Sequence, residues 1–196
     1  MVQIHPQKIE GNWVAGVALD FHTTSSTYIG DDEFGHPRFD TVRPEVVELL
    51  YRLKYGNHDQ SAVAGIVEAA AGFLKPYPDK FDVIVPVLPS TIRPVQPVYL
   101  LADEIGKATG KPVAHCVTAT RATSQLKGVS DPDERKRLLD GLYAVDPAQV
   151  AGRNVLLFDD LFRSGSTMNA IADALLKQGK AASIRALTIT KTRSNR

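Results

Sequence analysis

At 196 residues, with 43% hydrophobic and 23% charged content, the chain has length for one full-sized domain and a sizeable core. A formal net charge of +1 gives no overall drive toward nucleic acid or anionic membranes. The single cysteine, Cys116, excludes an internal disulfide framework and sits in an apolar stretch that suits inert packing. The N-terminus lacks an apolar signal core and no run reaches membrane-spanning length, so a cytoplasmic protein is expected.

Residues 11–40 read as β-rich and irregular. Trp13, Val14, Val17 and Leu19 lead into Asp20, Phe21 and His22, and a turn follows around Gly30 to Pro37. The acids and histidines here (Asp20, His22, Asp31, Asp32, His36) fit no recurrent metal-ligand spacing and suit solvated turns better. Pro44 opens a helix whose stripe is Val46, Leu49, Leu50 and Leu53, ending near Tyr55-Gly56. A second helix is expected from about Ser61 to Leu74, broken by Pro76-Tyr77-Pro78. These elements are expected to form an N-terminal hood over residues 1–78, ahead of a core over 79–196.

In that core, Phe81 to Leu88 reads as a first buried strand, Pro112 to Thr118 as a second, Val155 to Phe158 as a third and Ser183 to Thr190 as a fourth. A helix carrying Val98, Leu101, Ala102 and Ile105 and closed by Gly110 separates the first two. Strand and helix alternate, which predicts an α/β fold: a parallel sheet flanked by helices. Residues 121–149 are polar and too long for a tight turn, with a short helix near Asp133 to Leu139, and read as a lid.

The stretch Val155 to Thr167, V-L-L-F-D-D-L-F-R-S-G-S-T, carries the chemistry. A buried strand closed by Asp159 and Asp160 is followed by a turn of small residues, Ser164, Gly165, Ser166 and Thr167, and then by a helix. Such a turn leaves helix N-terminal amides facing outward, a site suited to phosphate. Two carboxylates beside it would repel a nucleotide's phosphates unless they face hydroxyls or a hard cation. A sugar 5′-phosphate with free 2′ and 3′ hydroxyls meets both demands. In open α/β sheets, ligands lie beyond the carboxyl ends of the strands. The loop with Arg93 and Gln96, the lid with Arg121, Gln125 and Lys127, and this turn are therefore expected to converge.

The stretch resembles the signature of type I phosphoribosyltransferases: four apolar residues, two acids, two variable residues, then T/S-T/S-G-x-T. Three further segments resemble the ComF-like group. They are P-V-L-P-S at Pro86 to Ser90 with Arg93 and Gln96, R-A-T-S-Q at Arg121 to Gln125 followed by E-R-K-R-L-L, and E-L-L-Y-R-L-K-Y at Glu48 to Tyr55. The resemblance covers about residues 41–190. The cysteine-rich zinc ribbon of many ComF proteins is absent, because one cysteine cannot build it.

This resemblance implies the type I phosphoribosyltransferase fold and use of 5-phosphoribosyl 1-diphosphate (PRPP) with magnesium. It implies transfer of the phosphoribosyl group to an unidentified nitrogen acceptor with release of diphosphate. Asp159 and Asp160 would then hold the ribose hydroxyls, directly or through the metal. Arg163 to Thr167 would bind the 5′-phosphate, Arg93 and Gln96 the diphosphate, and Arg121, Gln125 and Lys127 would close over the leaving group. Arg163 departs from the pattern: purine-salvage relatives place an aspartate there, and an arginine accepts no proton at neutral pH. It fits an anionic acceptor, or an extra clamp on bound phosphate, better than purine salvage. Two readings of other classes stand beside transfer: a PRPP- or nucleotide-sensing protein without catalysis, and an accessory protein in DNA uptake. A homodimer is common among such relatives. The acceptor is expected to meet the N-terminal hood, where Trp13, Phe21 or His22 either stack on it or serve packing.

Overall fold

A computed structural model describes residues 2–56, 59–89, 95–122, 129 and 131–193. Its centre is a five-stranded sheet in the order β1-β2-β9-β8-β5, formed by Gln7–Lys8 (β1), Ala15–Phe21 (β2), Ser183–Lys191 (β9), Asn154–Phe162 (β8) and Val83–Pro86 (β5). The pairs β2–β9, β9–β8 and β8–β5 are parallel, and β1 alone runs antiparallel, against β2.

The strands are apolar on both faces because both faces are covered. In the period-2 pleat, Val83, Val85, Val155, Leu157, Ile184 and Ala186 point to one side, and Ile84, Leu156, Phe158, Leu187 and Ile189 to the other. The second side receives three helices, Glu45–Tyr55 (α1), Ser61–Leu74 (α2) and Pro97–Thr109 (α3). α1 buries Val46, Val47, Leu50 and Leu53, with Glu45 and Glu48 in its first turn and Arg52 and Lys54 in its last. That distribution of charge suits the helix dipole. α3 starts with proline at its first position and ends at Gly110, whose φ of 69° accommodates the left-handed cap. The first side receives Ser166–Lys177 (α5), Pro132–Leu139 (α4) and a small antiparallel pair, Val117–Ala119 (β6) with Tyr143–Val145 (β7).

Three expectations change. The division at residue 78 does not follow the layering: β2 pairs with β9 inside the sheet, and α1 and α2 cover it. Among the described residues before 79, the hairpin Ser25–Asp31 (β3) and Pro37–Val42 (β4) stands apart from the sheet, its strands pairing with each other. The expected strand over Pro112 to Thr118 shrinks to a bridge between Val113 and Ile84, and β6 turns away to meet β7. Within the described part of the expected lid, residues 131–149, α4, β7 and a short 3-10 turn replace an irregular loop. Leu139, Leu142, Tyr143 and Val145 are buried in the core, and Cys116 lies among them. Burial raises the Cys116 thiol above its ordinary pKa, which suits inert packing.

Leu157 lies fully buried in β8, an interior strand of the parallel set, between β5 and β9. Leu157→Ala is expected to cost about 2–5 kcal/mol through lost burial and a residual cavity. Urea unfolding should show a lower midpoint with an unchanged slope.

Candidate active site

The site is built where β8 runs further than its apolar residues suggest. Expected to stop at Phe158, the strand continues to Phe162 because β9 keeps pace, with Asp159 opposite Thr188 and Leu161 opposite Thr190. The two aspartates therefore lie within a strand, where neighbouring side chains leave on opposite faces. Asp160 shares the face of Leu156 and Phe158, toward α1, and meets Lys54 there, Nζ to Oδ2 at 2.7 Å. Both side chains of that pair are only 16% exposed. Asp159 shares the face of Val155 and Leu157, toward α5 and β7, and its Oδ1 accepts from the Asp160 amide at 2.8 Å.

Both acids nevertheless line one cavity of about 330 Å³ at the carboxyl end of the strands. This lies within the range of small-molecule sites, about 300–1,000 Å³. Burial, then the neighbouring Asp160 charge, raises the Asp159 carboxyl to about 8.

The turn after β8 forms another wall. Gly165 has φ 74° and precedes α5, so no side chain caps the helix. A Cβ there would come within 2.7 Å of the Phe162 ring, and the Trp13 ring packs edge-on against Phe162 from behind at 6.2 Å. The backbone of the turn is thereby pressed against an aromatic support. Ser164 and Ser166 share a hydroxyl hydrogen bond of 2.8 Å, and the Tyr143 hydroxyl bonds with the Thr167 side chain. Arg163, Ser164, Gly165, Ser166 and Thr167 all face the cavity.

A second helix start points at the same space. Gln96, Pro97 and Val98 open α3, again without a side-chain cap, and line the cavity with Val87, Leu88 and Pro89. Two uncapped helix N-termini thus converge on one cavity, each offering positive potential and first-turn amides to an anion. Arg135 of α4 lines it as well.

Of the site residues expected from sequence, Asp159, Asp160, Arg163 to Thr167 and Gln96 are brought together. Arg121 is not among the lining residues: its Nη2 donates to the Leu138 carbonyl at 2.9 Å and to the Asp140 carbonyl at 2.8 Å. It ties the strand end after β6 to the C-terminus of α4. Arg93, Gln125 and Lys127 lie outside the described residues. Sequence reasoning missed Lys54, Arg135 and Tyr143 as cavity residues. The first sat in the E-L-L-Y-R-L-K-Y resemblance without a role, and the other two were folded into an undivided lid.

The histidines and acids of the first 40 residues separate. Asp20 is buried and accepts from the His5 amide and ring Nδ1 (3.1 and 2.9 Å), while Asp32 accepts from the Phe34 and His36 amides of its own turn. Trp13 serves packing: its indole N–H donates to the Ile9 carbonyl at 3.1 Å. His22 stands apart at the end of β2. Burial lowers its pKa from the ordinary 6.5, and Lys54, Arg43 and Arg163 lower it further against the opposing Asp160.

The two shifts have opposite signs in stability. His22, depressed in the folded state, weakens the fold only as pH falls below 6.5. Asp159, raised in the folded state, weakens it progressively as pH rises from 3.8 through about 8. Between pH 6.5 and 8 only the second effect acts. The ligand-free protein should lose melting temperature across that window, and Asp159→Asn should flatten the decline. A thermal-shift series in matched buffers reads both.

The model of the family described as "Phosphoribosyl transferase domain" matches residues 57–196. The Competence protein ComFC of Bacillus subtilis (strain 168) is 28% identical over 153 residues, which is 78% of this chain and 62% of that protein's length. Among solved structures, the chain resembles an adenine phosphoribosyl transferase from Trypanosoma brucei, solved with AMP, pyrophosphate and ribose-5-phosphate. That match has a TM-score of 0.50 and 12% identity, covering 94% of this chain and 74% of the other. A glutamine phosphoribosylpyrophosphate amidotransferase from B. subtilis matches with a TM-score of 0.49 and 14% identity, covering 81% and 34%. A parallel sheet flanked by helices, an anion turn behind paired aspartates and a family match over most of the chain agree: the chain belongs to the phosphoribosyl transferase domain family, with the type I phosphoribosyltransferase fold and a ComF-like sequence.

Proposed function

We propose that this protein binds PRPP with magnesium and transfers its phosphoribosyl group to a nitrogen acceptor, releasing diphosphate. The observation that carries this reading is the convergence of two uncapped helix N-termini and two aspartates on one cavity. Backbone amides at the start of α5, with the Ser164, Ser166 and Thr167 hydroxyls, hold the 5′-phosphate. The start of α3 and Arg135 face the diphosphate, with Arg93, Gln125 and Lys127 expected beside them. Asp159 and Asp160 take the ribose hydroxyls from the two sides of the strand end.

The donor set fits magnesium in kind. It offers two carboxylates on a cavity suited to phosphates, whereas no cluster of three or more His, Cys, Asp or Glu residues occurs among the described residues. A magnesium ion commonly takes one or two carboxylates and completes its shell with substrate oxygens and water. When bound, it neutralises charge on the diphosphate.

In the transfer, the C1–O bond to diphosphate breaks and its electron pair leaves with the diphosphate. The acceptor nitrogen forms the new bond to C1 and, where it carries a hydrogen, loses that proton to water. The sugar carries oxocarbenium character between the two events, as in glycoside chemistry. The chain's residues act by orienting the sugar and by placing positive potential where the leaving group gathers charge. Lys54, paired with Asp160, holds that carboxylate against the α1 side of the strand end.

The likeness to a competence protein favours a second reading, a non-catalytic PRPP-binding or DNA-uptake accessory role. Calorimetry with PRPP and magnesium, followed by a diphosphate-release screen over nitrogen acceptors, separates the two. Transfer requires acceptor-dependent release, binding without release selects the accessory role, and absence of binding rejects both. Gly165→Ala should raise the PRPP Kd at least tenfold. Its Cβ displaces the Phe162 contact, and hydrogen bonds to a charged group contribute about 1.5–3 kcal/mol each. Replacing both acids, Asp159→Asn with Asp160→Asn, should lower release by about a hundredfold or more, equivalent to about 2.7 kcal/mol of transition-state stabilisation.

A further inference from the structure

The base of the β3–β4 hairpin joins the sheet at Lys191, the register partner of the cavity residue Phe162, and carries side chains that the phosphoribosyl site leaves unused. His22 ends the approach from β2, and Arg43 follows β4 at the start of α1. The backbone pins both: the His22 amide donates to the Lys191 carbonyl at 2.6 Å, and the Thr24 amide closes the hairpin onto the Val42 carbonyl at 2.9 Å. The Arg43 guanidinium lies over the Tyr51 ring at 4.1 Å, which fixes its plane.

Two polar atoms here are shielded from solvent and have no hydrogen-bond partner, His22 Nδ1 and Arg43 Nε. Buried polar nitrogens without partners are rare, and a missing ligand is one standard reason for them. The charges around them are unbalanced in one direction. Arg43, Lys54 and Arg163 all act on the His22 ring, opposed by Asp160. Asp160 is already engaged by Lys54 at 2.7 Å, and Glu48 reaches Arg43 only at 3.7 Å with half its side chain exposed. Arg163 lines the cavity and accepts no proton. With Lys54 and Asp160 cancelling as a pair, Arg43 and Arg163 leave positive charge in excess beside the imidazole, poor surroundings for an uncharged base and good ones for an oxyanion.

We propose that His22, Arg43 and Arg163 form an anion subsite for the acceptor, so that the incoming nitrogen nucleophile carries a carboxylate or phosphate group. This rests on the phosphoribosyl-transfer reading and narrows its open substrate to a class. The hairpin then supplies acceptor recognition at its base, whereas the α3 and α5 starts hold the donor.

The test uses matched acceptors with PRPP and magnesium, read as diphosphate release: nicotinate against nicotinamide, orotate against uracil and anthranilate against aniline for the carboxylate arm. Phosphoethanolamine against ethanolamine covers the phosphate arm. At least one anionic member should exceed its neutral partner by tenfold or more in kcat/KM, and the arm that responds identifies the acidic group. Arg43→Gln and His22→Gln should each reduce that ratio severalfold through KM and leave the PRPP Kd within about twofold. Arg43→Lys, which keeps the charge, should restore part of the ratio and guards against a folding defect. Neutral partners reacting as well as anionic ones, or PRPP binding without turnover of any anionic acceptor, would overturn the subsite. So would a loss of PRPP affinity in Arg43→Gln, which would return the cluster to the donor. Failure of PRPP to bind the unaltered protein would instead remove the underlying reading.

Discussion

The parallel pairing of β8 with β9 governs the site, because it continues through the two aspartates instead of ending before them. A strand that stopped at Phe158 would release Asp159 and Asp160 into a loop, free to turn together toward one ligand. Held in the pleat, they are sent to opposite faces and meet different neighbours. Asp160 is placed against Lys54 of α1, and Asp159 against buried surroundings on the α5 side that raise its carboxyl to about 8. Two like charges so close would otherwise strain each other. The sheet thus gives one acid a fixed counter-charge and leaves the other protonated near neutrality, which lets a cavity hold both before any ligand enters.

The turn after β8 depends on a second constraint, set from behind. Gly165 takes a left-handed φ at the point where the chain leaves the strand and enters α5, and the Phe162 ring occupies the space a side chain would need. Phe162 is itself buried and braced by Trp13, which arrives from the N-terminal end of the chain. The anion site is therefore supported by residues nearly 150 positions apart. Helix amides can serve as preorganised donors only when the backbone that carries them cannot relax away from the ligand.

Much of this was legible from local pattern. The α2 limits follow from an apolar run closed by prolines, the α3 end from Gly110, and the α5 start from the Ser/Gly/Thr turn. The anion turn and the two acids were legible as a constellation, because both lie within one continuous stretch. What escaped depended on partners distant in sequence. The extra length of β8 comes from β9, whose buried Thr188 and Thr190 continue a ladder that charge on β8 seemed to end. β2 looked like a hood strand because its partner, β9, lies at the far end of the chain. Arg121 looked like a cavity cation because a polar segment conceals that α4 folds back and offers its terminal carbonyls. Lys54 is the penultimate residue of an amphipathic helix, and only the tertiary placement of α1 brings it to Asp160.

These long-range pairings also give a near-neutral chain a cavity of locally concentrated positive charge. The formal charge of +1 is spread over the whole molecule, yet the cavity gathers Arg135, Arg163 and Lys54 around its two acids, one of them protonated near neutrality. Positive potential here is a local arrangement, concentrated where strands end and helices begin, and needs no basic surface elsewhere. Because the cations come from α1, α4 and the β8–α5 turn, the positive potential exists only when those elements are docked on the same end of the sheet. Folding and ligand recognition are coupled in this way: the sheet that buries the core is the same frame that sums charges too few to act separately.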